Sequence, residues 1–179
     1  LALAGAANIV WMLEAQLITW MPLDYALLFA VAVPAWTAAT RLDRMRGLGG
    51  SAMKFTADMA TGLLAGWITV AIAISGPMLI RDLTGLGVTD RIWLMLWITL
   101  ATAGAGAWLA ATRVTRSPFF FVALAWGLAG VAMNNFTRTD MGFLGWATVF
   151  TGGLIILLRA VRGAKGAVSP LPRPSFASG

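Results

Sequence analysis

The apolar run "NIVWMLEAQLITW" (residues 8–20) carries Asn8, Glu14 and Gln16 beside the indole of Trp11. Amides donate and accept hydrogen bonds, an ionised carboxylate accepts them, and an indole stacks on flat ligands. In a lipid-embedded helix such groups must face protein, water or a partner. Helical spacing puts Asn8, Trp11 and Ala15 on one face and Glu14 with Ala7 on another, with Gln16 off the Glu14 face. Asn8 then either makes an interhelical hydrogen bond, worth about 1 kcal/mol, or lines a pocket. For Gln16 the interhelical bond is the expectation. Glu14, the sole glutamate, either lies near the membrane interface and snorkels or pairs with Arg81 or Arg91, or it contacts a ligand.

Other chemistry is scarce. The chain has no cysteine and no histidine, which removes disulfides, thiolate nucleophiles, Ser-His triads and zinc or haem sites built on those ligands. It holds no P-loop, HExxH or Gly-rich dinucleotide turn, and no span carries a ladder of acids and bases for proton relay. Neither catalytic nor metal-binding residues are expected, and an enzyme is disfavoured.

The elements that must position these residues are membrane helices. Of 179 residues, 59% are hydrophobic and 11% charged, against roughly a quarter charged in soluble domains. A span needs roughly 20 mostly apolar residues. Six such stretches predict an all-α, polytopic membrane helical bundle: about 2–20, 23–41, 59–80, 90–112, 117–135 and 140–161. Pro34 should free the carbonyl of Ala30 in the second. Thr89 or Asp90, Ser117–Pro118, and Thr139 or Asp140 are the expected starts of the last three. Asp58 suits the start of the third helix, and Asn134–Asn135 the end of the fifth. Residues 1–165 form the transmembrane bundle, and the Pro- and Ser-rich residues 166–179 read as a disordered cytoplasmic tail. The run from Leu1 lacks the basic start and cleavage site of a signal peptide.

The net charge of +6 reads as topology rather than nucleic-acid binding. Ten basic residues, among them Arg41, Arg44, Arg113, Arg116 and Arg159, fall in one alternating set of loops and ends, and three (Arg81, Arg91, Arg138) in the other. That asymmetry predicts both termini in the cytoplasm. Trp20, Trp93 and Trp146 are expected at the opposite interface. Small-residue faces at Gly62/Gly66, Ala103/Ala107 and Gly142/Gly145 mark close helix contacts, within the bundle or at a homodimer seam.

Two stretches carry a family resemblance. "AANIVWMLEAQL" resembles the third-helix pattern of the tryptophan-rich sensory protein family, also called the translocator protein or peripheral benzodiazepine receptor family, with Asn8 and Trp11 in the Asn and Trp places. "LLAGWITVAIAIS" is similar to its fifth-helix pattern, with Trp67 and Ala71 matching while Leu63–Leu64 replace Pro-Tyr and Ile74–Ser75 replace Leu-Asn. The last two spans look like the extra C-terminal helices of long members, in a form lacking the family's Pro- and Trp-rich N-terminal helix. The resemblance implies an integral protein of the bacterial inner membrane that binds a flat hydrophobic small molecule, tetrapyrrole-like, as sensor, regulator or carrier. It names Asn8, Trp11, Trp67 and Ala71 as ligand contacts, with Glu14 as a further choice. A bound tetrapyrrole or lipid, membrane lipids, and a homodimer or membrane-complex partner are the expected associations. A structural or assembly subunit of a larger membrane complex is the alternative.

Overall fold

A computed structural model describes residues 2–18, 20–45, 52–85, 92–137 and 142–162. Its elements are α1 (Ala2–Leu17), α2 (Met21–Arg44), α3 (Ala52–Thr84), α4 (Ile92–Leu109) with a π-helical turn at Ala110–Val114, α5 (Pro118–Thr137) and α6 (Gly142–Arg162). The fold is all-α, and five helices, α2 to α6, are long and apolar enough to cross a membrane. That is the mark of an integral membrane protein. α1 is apolar but has 16 residues.

α3 is the central helix, touching α2, α4 and α5, while α1 rests on α2 and α6 on α5 and α4. Gly62 lies against Ser117 and Phe119, Gly66 against Phe120 and Ala123, and Val70 against Gly127. The rising order on both helices means that α3 and α5 run parallel, with α4 returning between them in sequence. A Cβ on Gly66 would strike the Phe120 carbonyl oxygen and one on Gly62 would lie 2.8 Å from Ser117 Oγ, so only glycine permits this approach. Ala103 and Ala107 are fully buried in the same core. The small-residue faces of α3 and α4 are therefore consumed inside the bundle.

Several threonine hydroxyls in these helices are satisfied locally. Thr37, Thr69, Thr99, Thr112, Thr148 and Thr151 each donate their hydroxyl to the carbonyl four residues earlier. Thr69 Oγ1 also accepts the Trp36 indole N–H at 3.2 Å, tying α2 to α3.

Several boundaries differ from the sequence expectation. α3 begins at Ala52 rather than near 59, because Lys54, Phe55, Thr56 and Ala57 sustain the helix although they are not uniformly apolar. Asp58 is thus in its second turn, not at its dipole end, and its carboxylate accepts the Ser117 hydroxyl at 3.1 Å. α3 also runs through Gly76–Pro77 to Thr84, and α2 stays helical past Pro34 to Arg44. α5 starts at Pro118 as expected, but continues past Asn134–Asn135 to Thr137. The expected starts at Thr89, Asp90, Thr139 and Asp140, and the tail 166–179, lie outside the described residues.

Candidate functional site

Two ends of the bundle hold its polar chemistry. At one end, α2 finishes with Asp43, whose side chain is fully buried. The break after the π-helical turn brings Arg116 to it. The Arg116 backbone N–H donates to Oδ1 at 2.9 Å and its Nε to Oδ2 at 3.1 Å. The π turn itself is set by the Thr115 N–H, which donates to the Ala110 carbonyl five residues back at 3.0 Å. Arg159 from α6 donates to the Arg116 carbonyl at 2.8 Å and lies 5.6 Å over the Phe121 ring. Four helices are joined here, with the Asp43 side chain shut off from solvent and Arg116 27% exposed. This end is a clamp.

Toward the other end, α3, α4, α5 and α6 line an open cavity of about 720 Å³. Pocket volumes for small ligands run from roughly 300 to 1,000 Å³. Two indoles wall it, Trp67 from α3 and Trp126 from α5. Gly130 leaves room on the α5 side, since a Cβ there would meet nothing within 4 Å, whereas Gly127 is packed against Val70. Pro77, Met78, Met95 and Leu144 complete the apolar lining, and Arg81, Asn134 and Asn135 supply the polar groups. Arg81 lies in the last turn of α3 and the two asparagines near the end of α5, so these groups gather at one end of the cavity. The arrangement offers flat apolar walls for stacking and a cation with amides for an acidic or carbonyl group.

No protein-family model, curated protein or solved structure matches this chain.

The five residues expected from the sequence do not share one pocket. Trp67 lines the α3–α5 cavity and is 46% exposed. Trp11 and Ala71 instead pack together against Leu28, Val31, Ile68 and Ile72, between α1, α2 and α3. Asn8 is half-buried, and its Nδ2 faces Met12 Sδ at 3.8 Å within its own helix, while Gln16 is exposed. Glu14 is buried, and its Oε1 accepts the Trp20 backbone N–H at 3.1 Å, fastening the turn from α1 to α2. Spacing along one helix fixes which residues share a face, but not which helix lies opposite.

Sequence reasoning missed Trp126, Asn134 and Asn135 as cavity residues, and it read Arg81 as a loop charge or a partner of Glu14. A signal existed: Trp126, Gly130 and Asn134 recur every four residues, a stripe of indole, gap and amide on one helical face. A second, shallower cavity of about 520 Å³ lies between α2 and α4 over Thr69 and Ile72, and its lining is almost wholly apolar.

Proposed function

We propose that this chain is a six-span integral membrane protein that binds a flat hydrophobic small molecule of the tetrapyrrole kind, as a sensor, regulator or carrier. The observation that carries this reading is the α3–α5 cavity, with indoles on two walls and Arg81 and the Asn134 and Asn135 amides at one end. Stacking on Trp67 and Trp126 would hold the macrocycle face, and Arg81 would meet its acidic groups. With no histidine or cysteine in the sequence, those side chains supply no ligand to a central metal. The resemblance of the Asn8–Trp11 and Trp67–Ala71 stretches to the tryptophan-rich sensory protein family supports the same ligand class.

The loop charges support both termini in the cytoplasm of a bacterial inner membrane, with the Asp43–Arg116 clamp on the cytoplasmic side and the cavity toward the outer side. α1, mostly apolar, would be the first of the six spans, tilted or set in locally thinned bilayer because of its length.

Titration of the purified protein with protoporphyrin, following tryptophan emission, tests the ligand class. Saturable quenching at micromolar porphyrin is expected, weakened in Trp67→Phe and Trp126→Phe and preserved in Trp146→Phe. Absence of saturable quenching would remove the reading.

A second reading, a structural or assembly subunit, is favoured by α1. That helix rests on α2 and leaves Leu3, Ile9, Val10, Leu13 and Leu17 exposed. Recovery of a stoichiometric partner in mild detergent, lost when Ile9 and Leu13 are changed to alanine, would select it.

A further inference from the structure

α2 and α4 stand on either side of an open groove of about 520 Å³, with Thr69 and Ile72 of α3 beneath it. The groove shares no lining residue with the α3–α5 cavity. Thr69 and Ile72 lie near the middle of α3, so in a bilayer the groove sits at hydrocarbon depth. α2 supplies Tyr25, Phe29 and Trp36, which share one helical face, and α4 supplies Ala101, Ala105 and Gly106 opposite. None of the described residues lining the groove is charged.

Two hydroxyls in this lining, Tyr25 on α2 and Thr102 on α4, have no hydrogen-bond partner among the described residues. Thr99, on the same helix as Thr102, donates to the Met95 carbonyl at 3.0 Å, the usual outlet for a threonine in an apolar helix. Thr102 does not take that outlet. The two hydroxyls also stand at similar heights. Tyr25 Oη is 3.7 Å from where a Cβ on Gly76 would lie, and Gly106 packs on Thr69. α4 runs back along α3, so Thr102, one turn before Gly106, is level with about Ala73. The hydroxyls therefore differ in height by about one helical turn or less. At this depth water does not satisfy them, and the charge-free lining offers them no ion. Trp36, whose indole N–H already bonds Thr69, offers the groove its ring alone.

The occupant that fits is neutral and flat, with hydrogen-bond acceptors at opposite edges and an apolar remainder. We propose that the α2–α4 groove binds a lipid-soluble quinone. Its ring lies between the aromatic face of α2 and the small residues of α4. One carbonyl accepts from Tyr25 and the other from Thr102, and the tail leaves through the open side into lipid. Two fixed polar groups in an apolar lining set the orientation of the ring. This binding is independent of the tetrapyrrole reading.

A ubiquinone with a decyl tail is the probe, because a quinone ring quenches indole emission on contact and Trp36 lines the groove. Titration of the full chain in detergent should give saturable quenching and a rise in Tm. Tyr25→Phe and Thr102→Val, each removing one hydroxyl, should weaken the apparent affinity by about threefold to tenfold. Ala105→Phe, which fills the groove, should abolish binding. Thr37→Val, on the same helix as Tyr25 but outside the groove, should bind like the wild type. Decyl alcohol, which has the tail without the ring, should not compete. Non-saturating quenching with no Tm rise overturns the proposal, as does quenching that Tyr25→Phe, Thr102→Val and Ala105→Phe all leave unchanged. Equal competition by the alcohol would show a groove for lipid tails only and overturns it as well. Porphyrin quenching should be untouched by Tyr25→Phe, so either reading can fail alone.

Discussion

Arg116 and Asp43, separated by 73 residues in sequence, meet through a backbone and a side-chain hydrogen bond to the two oxygens of one buried carboxylate. Arg116 also reaches the Asp43 carbonyl through Nη2 at 3.4 Å. A carboxylate at the C-terminal end of α2 opposes the helix dipole, and Arg116 offsets that cost. The pair joins the end of α2 to the α4–α5 corner, and Arg159 adds α6.

Removing Arg116 leaves the buried Asp43 charge alone, so Arg116→Ala should destabilise the protein by about 3–5 kcal/mol. Asp43→Ala should cost less, because the Arg116 side chain left behind is 27% exposed and reaches water. Arg116→Lys should fall between, because lysine keeps the charge but loses the planar fork. The double variant Asp43→Leu/Arg116→Met should recover part of the loss, since it strands no charge. Thermal melting in a fixed detergent measures all four.

The α3–α5 contact makes a sharper distinction among glycines. Gly66→Ala should cost several kcal/mol, because the added carbon strikes the Phe120 backbone, which cannot move aside without shifting α5. Gly104→Ala should be neutral or stabilising by up to about 1 kcal/mol, since nothing lies within 4 Å of its added carbon and alanine favours helix. Melting temperature and yield of folded protein would separate the two.

Much of this architecture was legible beforehand. Apolar run length gave the helices, and the small residues at Gly62, Gly66, Ala103 and Ala107 gave the close contacts, because both depend on local composition. The Asp43–Arg116 pair was not legible: loop position made Arg116 look like a topology signal, and no local pattern links it to a residue so distant. Glu14 stood out as an acid in an apolar run, yet its bond to Trp20 depends on the turn that follows. Asp24 escaped notice because its burial depends on how α1 packs against α2. The cavity was legible only in Trp67; its opposite wall required knowing that α5 lies parallel to α3.

Trp36 and Thr69 offer a smaller test of the α2–α3 contact. The indole N–H donates to the Thr69 hydroxyl at 3.2 Å and lies 3.4 Å from the Ala65 carbonyl. Trp36→Phe should cost about 1 kcal/mol beyond its lost packing, and Thr69→Val less, because the carbonyl remains as an acceptor. A double-mutant cycle on thermal stability isolates the shared part.

Orientation can be read by chemistry, since the chain has no native cysteine. Asp82→Cys and Trp20→Cys should react with a membrane-impermeant maleimide added to intact cells. Met45→Cys and Arg113→Cys should react only after the membrane is opened. The expected order follows the basic asymmetry of the loops.

The most direct measurement fills the proposed binding cavity without disturbing the fold. Gly130 lines that cavity, and a side chain there starts in open space. Gly130→Leu should keep or raise the melting temperature, by the helix preference of leucine over glycine, while abolishing porphyrin quenching of tryptophan emission. Undiminished quenching in a folded Gly130→Leu protein would place any ligand elsewhere and contradict the account.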